Sequence, residues 1–362
     1  MMNDTEHPAP EAEAPAAPAP EASAVERVAR LATLFTPWAL RTAVTLRLFD
    51  LIEEGNHRPD ELAARSGADP GALQRLLRYL ADLDVLARTG DTYRLTPLGQ
   101  VLTSRHPSRT ARFLDQDDAW ARTGDRAVPG LLHAVRTGGP AWERHHGLPF
   151  WASLDGDTAL GEAFDRAMAV HADGFGPWLA GAWDWSSVTR VADIGGGTGT
   201  TLVTLLEHHP HLRGVLVDLP RTVERATREI AAAGPGVVSR AEMVGRSFFE
   251  PLPPGAGAYL LAHVLHDWPD RECVRVLRGC AGAAGGRGRV LVVDRIRADT
   301  GDAAAGPLAV GRRDLAMLVL LGGRERTEEE FRALGEAAGL RLTATTPAPE
   351  PGLHLIEFAP AD

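Results

Sequence analysis

Val191-Ala192-Asp193-Ile194-Gly195-Gly196-Gly197-Thr198-Gly199 is the stretch of this 362-residue chain that decides the fold. A short apolar strand ends at Ile194, a glycine loop turns the chain, and residues 200–208 read as the start of a helix. Glycines let the backbone approach a ligand closely, and a helix N-terminus offers unpaired N–H groups. The order strand, glycine loop, helix therefore predicts a ligand site within an α/β domain.

The chain after this loop continues in the same manner. Short apolar runs that read as buried strands alternate with helical segments, and these runs cover residues 188–194, 214–217, 258–261 and 290–293. Such βα alternation is typical of a parallel sheet with helices on both faces. We therefore expect a doubly wound, Rossmann-like domain over residues 185–362.

The first half of the chain has a different pattern. Residues 1–24 are low-complexity Ala, Pro and Glu, which predicts a disordered tail. Residues 58–83 read as helix–turn–helix with Asp69-Pro70 capping the second helix, and residues 85–95 as a hairpin that turns at Gly90-Asp91. We predict a mainly helical, winged-helix domain over 25–106. A helical connector follows over 107–184, and its many aromatics could be plain core or a ligand pocket.

The composition and charge of the chain exclude or disfavour several classes of function. The formal net charge of -10 disfavours a nucleic-acid partner, because phosphates would be repelled. The chain has no lysine, which excludes Schiff-base chemistry and Walker-type nucleotide hydrolysis. No apolar run approaches the roughly 20 residues that cross a membrane. The only two cysteines are Cys273 and Cys280, too few for a disulfide framework, so we expect a cytoplasmic protein.

Two acids distinguish the kind of cofactor that the glycine loop would bind. A dinucleotide-binding G-x-G-x-x-G motif would place its third glycine at Thr200, so a nicotinamide-dependent dehydrogenase is disfavoured. The pattern D-x-G-x-G-x-G, led by Asp193, is met instead. Asp218 ends the next strand, where a carboxylate can accept both ribose hydroxyl protons. The alternative is that the two acids only cap the loop and the following helix.

A histidine lies at the same edge of the predicted sheet. His266 follows the apolar strand that ends near Leu261. Asp294, just after another strand, and Glu325, just before a helix, could orient its imidazole and make it a better base. Alternatively, the only role of Glu325 could be to complement the dipole of the helix that follows it. No compact cluster of His, Asp and Glu is evident, so we expect no metal.

Taken in order and spacing, these motifs resemble a known family. They are the 193–199 loop, Asp218, the 248–253 segment, His266-Asp267-Trp268 and Gly322-Gly323-Arg324-Glu325-Arg326-Thr327. The set is similar to the plant-caffeate-type and bacterial natural-product O-methyltransferases, over residues 25–358. That resemblance implies S-adenosylmethionine as methyl donor, a small aromatic acceptor, and a homodimer formed through the winged-helix domain. It also implies that His266 is the base, flanked by Asp294 and Glu325.

The resemblance extends to individual positions of the site. The cofactor residues that we predict are Asp193, Gly195, Gly197, Gly199, Asp218, Leu219, Ser247 and Phe248, and the acceptor residues are Phe164, Met168, Asp267, Met317 and Leu320. Three positions depart from the family pattern. Ser247 stands where an acid usually contacts adenine, Ala172 where a serine often touches the cofactor, and Leu320 where plant members often have asparagine. A bulkier apolar aromatic acceptor therefore fits better than a phenylpropanoid.

The expected reaction is methylation of a hydroxyl. A phenolic hydroxyl has a pKa of about 10, whereas histidine has a pKa of about 6.5. His266 would remove the proton as the carbon–oxygen bond forms, so no free phenolate is needed. The main alternative is a family member that uses the same cofactor for decarboxylation, hydroxylation or cyclisation. A winged-helix DNA-binding regulator is disfavoured, because acidic residues surround Arg75 and Arg78 on the second helix.

Overall fold

The structure is a computed structural model that describes residues 20–297 and 307–361. The chain divides into two compact units between Gln116 and Asp117. The predicted disordered tail lies outside the described residues as far as residue 19. From Pro20 the backbone is already helical, so the tail as predicted is five residues too long. Proline suits the first helical position, which explains this start.

The first unit has the predicted winged-helix order. Its elements are α1 (Pro20–Ala32), α2 (Phe35–Thr45), α3 (Leu48–Glu53), α4 (Pro59–Ser66), α5 (Pro70–Asp82), β1 (Leu86–Thr89), β2 (Thr92–Leu95), α6 (Pro97–Val101) and a 3-10 turn (Thr110–Phe113). Gly67 ends α4 in the left-handed conformation, and the Asp69 carboxylate accepts the Ala72 N–H at 2.8 Å to begin α5. The antiparallel pair of β1 and β2 forms the wing. Leu62, Leu73 and Leu77 are buried in the core of this first unit.

The second unit begins with helices that precede the sheet. They are α7 (Ala119–Ala127), a 3-10 turn (Val128–Gly130), α8 (Leu131–Thr137), α9 (Trp142–His146), α10 (Phe150–Gly156), α11 (Thr158–Ala182) and a 3-10 turn (Trp185–Ser187). The 25-residue α11 begins where the Asp157 carboxylate accepts the Leu160 N–H at 3.1 Å. It runs along the sheet unit, and its residues reach both the buried core and the site described below.

The sheet and its helices make up the rest of this unit. The elements are β3 (Arg190–Ile194), α12 (Thr200–His208), β4 (Arg213–Asp218), α13 (Pro220–Ala232), α14 (Pro235–Val238), β5 (Ala241–Gly245), β6 (Ala258–Ala262), a 3-10 turn (Leu265–Asp267), α15 (Asp270–Ala284), β7 (Arg289–Arg295), α16 (Pro307–Leu321), α17 (Glu328–Ala337), β8 (Leu340–Pro347) and β9 (Leu353–Pro360). Within the described residues the strand order is β5-β4-β3-β6-β7-β9-β8. The order reverses between β3 and β6, which is where ligands bind in open α/β sheets.

The predicted parallel sheet is correct for its centre and incomplete at its edges. Strands β3 to β7 pair in parallel, whereas β9 runs antiparallel to β7 and to β8. The four predicted strands are the buried, continuously apolar ones. Sequence analysis missed β5 and β8 because these outer strands are half-exposed and carry polar residues among apolar ones, and it missed β9, the antiparallel partner of β7 and β8.

Alternate residues of the central strands face two separate cores. Ala192 and Ile194 pack in the core that also contains Phe331 of α17 and residues of α15. Val191 packs on the opposite face with Leu179 of α11 and residues of α12 and α13. Because both faces are buried, the strands are fixed in register and their carboxyl ends form one stable edge.

Candidate active site

The glycine loop forms a tight cradle after β3. Gly195, Gly197 and Gly199 have φ angles of 70°, 58° and 83°, a region that residues with a side chain rarely adopt. A Cβ on Gly196 would lie 2.6 Å from a carboxylate oxygen of Asp193. The loop therefore turns directly against this buried acid, and its backbone is open to a ligand.

Two acids lie beneath and beside the cradle. Asp218 Oδ2 accepts the Gly197 N–H at 2.9 Å, and its Oδ1 accepts the Leu219 N–H at 2.7 Å. Burial raises the pKa of Asp218 to about 6, although these two bonds oppose the shift. Burial and the nearby Asp218 raise the pKa of Asp193 to about 7. Neither oxygen of Asp193 has a hydrogen-bond partner within the described ranges. One buried acid without a partner, a second acid held by backbone N–H groups, and open glycine backbone fit a cofactor that carries ribose hydroxyls and positive charge.

His266 lies in the 3-10 turn that follows β6, with acids on both sides of its ring. Nδ1 lies 3.1 Å from Oδ1 of Asp294 and 3.7 Å from Oε1 of Glu325, whereas Nε2 lies 3.4 Å from Oδ1 of Asp267. The contact with Asp294 is electrostatic, because no atom of the described chain meets Nδ1 with hydrogen-bond geometry. The backbone N–H of His266 does bond to Asp294, at 3.2 Å. The sequence-predicted trio is therefore assembled around one ring.

These acids make the imidazole strongly basic. Burial lowers the pKa of His266, but Asp294 and Asp267 outweigh it and raise the pKa to about 10. Burial also acts on Asp294, yet His266 holds the pKa of that carboxyl below its usual value. For Glu325, burial dominates and raises the pKa to about 7. The ring thus gains its basicity mainly from Asp294, the closest buried charge.

A second loop fixes the position of the His266 turn. The Arg324 N–H donates to the His266 carbonyl at 2.9 Å, and a Cβ on Gly323 would lie 2.0 Å from that same oxygen. The fully buried guanidinium of Arg326 donates to the carbonyls of Leu265 at 2.8 Å and Trp268 at 2.7 Å. Arg326 therefore holds the backbone on both sides of His266. The motif is evident in the sequence, but the positioning role of Arg326 becomes visible only in the fold.

The sequence predicted no compact cluster of His, Asp and Glu side chains, and this prediction was wrong. His263, His266 and Asp294 place ligand-type atoms within 4.8 Å of one another. The sequence hides this cluster, because Asp294 belongs to β7 and the two histidines follow the neighbouring β6. His263 has a φ of 54°, and burial followed by the His266 charge lowers its pKa to about 3. His263 is therefore a neutral ring, 5.4 Å from His266 between ring centroids.

The glycine cradle and His266 line a cavity of about 430 Å³. Aromatic side chains line the end of this cavity that is opposite the cradle. Trp151 and Trp268 stack with their ring centroids 6.1 Å apart, and Trp120 meets Phe164 edge-on at 5.0 Å. The connector aromatics thus line a pocket as well as a core, and this resolves the alternative that the sequence left open. Such a wall suits a flat aromatic acceptor.

The cavity brings together most of the predicted site residues. Those that line it are Phe164, Met168, Asp193, Gly195, Gly197, Asp218, Leu219, Ser247, Phe248, His266, Asp267, Met317 and Leu320. Asp294 and Glu325 lie behind His266 and do not line it. Gly199 is also outside the lining, since it begins α12 and a Cβ there would lie 2.8 Å from Ile230. The Ser247 hydroxyl accepts the Phe249 N–H at 3.2 Å.

Other residues that line the cavity were not predicted from the sequence, among them His263, Arg295 and Arg313. Trp120 and Trp151 also line it, and they belong to the connector aromatics for which a ligand pocket was one of two alternatives. The paired histidines of Leu261-Ala262-His263-Val264-Leu265-His266 were a usable signal for His263. No sequence pattern around Arg295 or Arg313 indicates that they line the cavity, because their positions depend on how β7 and α16 pack.

Among the helices of the described residues, none combines the length and apolar character needed to cross a membrane.

Comparison with known proteins identifies the family. The model of the O-methyltransferase domain matches residues 129–341, and that of the O-methyltransferase dimerisation domain matches residues 30–105. The first match covers more than half of the chain.

Three relatives illustrate the similarity. The chain is 40% identical over 318 residues to 2,7-dihydroxy-5-methyl-1-naphthoate 7-O-methyltransferase of Streptomyces carzinostaticus, covering 88% of this chain and 93% of the relative. It is 41% identical over 317 residues to aclacinomycin 10-hydroxylase RdmB of Streptomyces purpurascens, covering 87% and 83%. The crystal structure of NcsB1, an O-methyltransferase from neocarzinostatin biosynthesis in complex with S-adenosylmethionine and 2-hydroxy-5-methyl naphthoic acid, matches with a TM-score of 0.82 and 38% identity. That match covers 91% of this chain and 98% of NcsB1.

The motifs, the sheet order and these matches agree. The chain belongs to the family of S-adenosylmethionine-dependent O-methyltransferases.

Proposed function

We propose that this enzyme methylates a hydroxyl, phenolic by preference, on a small aromatic natural product, with His266 as general base. The observation that carries the proposal is His266 itself. Its ring lines the cavity beside the glycine cradle, and two buried acids that do not line the cavity stand behind it. Relatives that methylate naphthoate and mitomycin compounds support an aromatic acceptor.

The residues of the cradle would hold the methyl donor. S-adenosylmethionine, when bound, supplies an electrophilic methyl group on a sulfonium. Asp218 keeps lone pairs free beyond its two backbone bonds, so it can still accept ribose hydroxyl protons. Asp193 places an unpaired carboxylate beneath the loop, where positive charge is favoured. Gly195 and Gly197 offer backbone, and Leu219, Ser247 and Phe248 would enclose the adenosine.

The raised basicity of His266 suits removal of a phenolic proton. An ordinary histidine and a phenol differ by about 3.5 pKa units, which makes complete proton transfer uphill by about 5 kcal/mol. With the pKa of His266 raised to about 10, the two groups are nearly matched. The same shift has a cost at neutral pH, because the imidazolium must first lose its proton. We therefore expect turnover to rise with pH.

The transfer step follows from this arrangement. As the acceptor oxygen bonds to the methyl carbon, its proton passes to Nε2 of His266, because Nδ1 faces Asp294 and Glu325. The electron pair of the broken carbon–sulfur bond stays on sulfur. Asp267, 3.4 Å from Nε2, would orient the acceptor hydroxyl. Phe164, Met168, Met317 and Leu320 would hold the aromatic ring so that oxygen, carbon and sulfur are in line.

We also propose that the reaction needs no metal and that the enzyme acts as a homodimer. A metal on His263, His266 and Asp294 would bind a ring nitrogen of His266 and add positive charge to the imidazole, which would lower its basicity. EDTA should therefore leave turnover unchanged, and added Zn²⁺ should inhibit it. The match to a dimerisation domain supports the dimer, which light scattering would test.

The second candidate is hydroxylation, because one relative of 41% identity is an aclacinomycin hydroxylase. The two reactions differ in what happens to the cofactor. Methylation releases one S-adenosylhomocysteine for each methylated product, whereas a cofactor that only assists would be recovered unchanged.

The test combines a substrate screen with one variant. Phenolic polyketides are incubated with methyl-labelled S-adenosylmethionine, and the best acceptor is used with His266→Ala. We expect a fall in kcat of about 10²- to 10⁴-fold, the usual contribution of a general base, with unchanged affinity for S-adenosylhomocysteine. His208→Ala, at an exposed helix position outside the cavity, is the control. An equal loss of cofactor affinity in His266→Ala would refute the assignment of the base.

A further inference from the structure

One arginine of the cavity differs from the others in its contacts. The arginines of the described residues that line the cavity are Arg221, Arg225, Arg246, Arg295 and Arg313. Three of them pair with carboxylates: Arg221 with Asp155, Arg225 with Asp165, and Arg295 with Glu350. Arg246 donates to the Pro251 carbonyl at 3.1 Å. For Arg313, no hydrogen bond or ion pair is made with any residue that the structure describes.

Arg313 lies at the acceptor end of the cavity. It is on α16, four residues before Met317, so both side chains share one face of the helix. Both residues line the cavity. Burial raises the pKa of Glu325, the acid 3.7 Å from Nδ1 of His266, and the positive charge of Arg313 is one of the influences that oppose this rise. Arg313 is therefore near the proposed base rather than near the glycine cradle.

Glu325, the acid with the larger electrostatic influence on Arg313, does not form a hydrogen bond with this guanidinium. Glu325 attracts Arg313, yet both Glu325 oxygens lack a hydrogen bond to any described residue. The side chain of Arg313 is half-buried, and burial together with Arg295 lowers its pKa. Glu350 also attracts Arg313, but it is already paired with Arg295, so the half-buried guanidinium of Arg313 can still bind an anion that enters the cavity. An arginine is well suited to this, because its planar fork binds a carboxylate through two parallel hydrogen bonds.

We propose that Arg313 binds a carboxylate of the aromatic acceptor, which makes hydroxyaryl carboxylic acids the substrate class of this enzyme. The inference rests on the proposed function and deepens it. The carboxylate fixes one edge of the ring at α16, and the hydroxyl on the same ring is directed to His266. The aromatic side chains that line the cavity then contribute affinity, and Arg313 determines which edge of the acceptor ring faces His266.

The test measures binding, so that it is independent of turnover. Protein saturated with S-adenosylhomocysteine is titrated with 3-hydroxy-2-naphthoic acid, with its methyl ester and with 2-naphthol. We expect the wild type to bind the acid at least about tenfold more tightly than the two neutral ligands, a factor typical of one charge-assisted pair. The comparison of acid and ester needs no variant, so a folding defect cannot obscure it.

Variants then locate the source of this preference. Arg313→Gln should reduce the preference for the acid to about twofold or less, and Arg313→Lys should keep part of it, because the charge remains without the fork. Arg312→Gln is the matched control, since Arg312 is the exposed neighbour outside the cavity. All three variants should keep the wild-type affinity for S-adenosylhomocysteine.

Several results would overturn the proposal. It fails if the wild type binds acid and ester equally or binds neither, and it fails if Arg313→Gln keeps the full preference. If Arg313→Gln changes only the pH profile of turnover, Arg313 tunes Glu325 instead. The proposed function has its own point of failure. A clear preference for the acid without any methyl transfer would leave the anchor intact and refute methylation.

Discussion

The two ends of the cavity are built in different ways. The cofactor end is built mainly from the glycine loop after β3 and from the end of β4, and its chemistry lies in glycine backbone and in Asp193 and Asp218. The acceptor end is assembled from side chains on α7, α10, α11 and α16, far apart in sequence. A ligand held by backbone requires one geometry and a fixed motif. Where side chains hold the ligand, a single substitution in one helix can change which ligand is bound.

The charges at the two ends differ as well. Near the glycine loop, Asp193 is buried without a partner, which suits a cationic donor. At the acceptor end, aromatic rings line the same cavity as His266, and Arg313 adds a positive charge that is unpaired among the described side chains. Variants at each end should therefore separate cofactor affinity from turnover, and this separation can be tested residue by residue.

Apart from removal of the His266 side chain itself, the largest effect is expected where the backbone holds this residue. Gly323→Ala would place a methyl group 2.0 Å from the His266 carbonyl, so the turn must move. A displacement of about 1 Å in a catalytic group can lower turnover about 100-fold. Steady-state kcat measures the loss. Gly282→Ala on α15 is the control, because its Cβ would meet nothing within 4 Å. Nearly normal turnover in Gly323→Ala would mean that the turn is not held by this contact.

A smaller effect is expected from the acid behind the ring. Asp294→Asn removes the charge closest to Nδ1, so the pKa of His266 should fall from its raised value. A base gains its active form as pH rises through its pKa, so the alkaline rise of kcat should move to lower pH. The plateau should drop about 10- to 100-fold, because a charge-assisted contact is lost. Glu325→Gln, at 3.7 Å, should shift the profile less. Identical pH profiles in all three proteins would contradict this assignment.

The smallest change in turnover is expected at the cofactor end. Asp218→Ala removes the proposed acceptor for ribose hydroxyls and the hydrogen bond from the Gly197 N–H. The dissociation constant of S-adenosylhomocysteine, measured by calorimetry, should rise about 10- to 100-fold. Turnover at saturating cofactor should fall no more than a few-fold. An unchanged dissociation constant would remove Asp218 from the cofactor site, and a collapse of kcat would show that the two ends are not separable.

The difference between the two ends also explains what could be predicted from the sequence. The 193–199 loop, Asp218 and the central strands were predictable, because a buried strand followed by glycines has few structural solutions. The His266, Asp294 and Glu325 trio could be expected to meet, since each residue follows or precedes an element at the same sheet edge. The helix–turn–helix was readable from Asp69-Pro70 and Gly67.

What the sequence left out depends on packing between distant elements. The outer strands β5 and β8 are half-exposed and lack an apolar run, and β9 returns antiparallel to a strand that was expected to have parallel neighbours. Arg326 has no local signal, because its role exists only once the α16–α17 loop lies against the His266 turn. The proximity of His263 and Asp294 required knowledge that β6 and β7 are neighbours.

The most direct test of the whole account compares two acceptors of different acidity. A phenol and its fluorinated, more acidic analogue are methylated in single turnovers by the wild type and by His266→Ala. If His266 removes the proton, the variant should lose about 10²- to 10⁴-fold with the ordinary phenol and far less with the analogue that is already ionised. An equal loss with both acceptors would show that His266 acts in some way other than as the base.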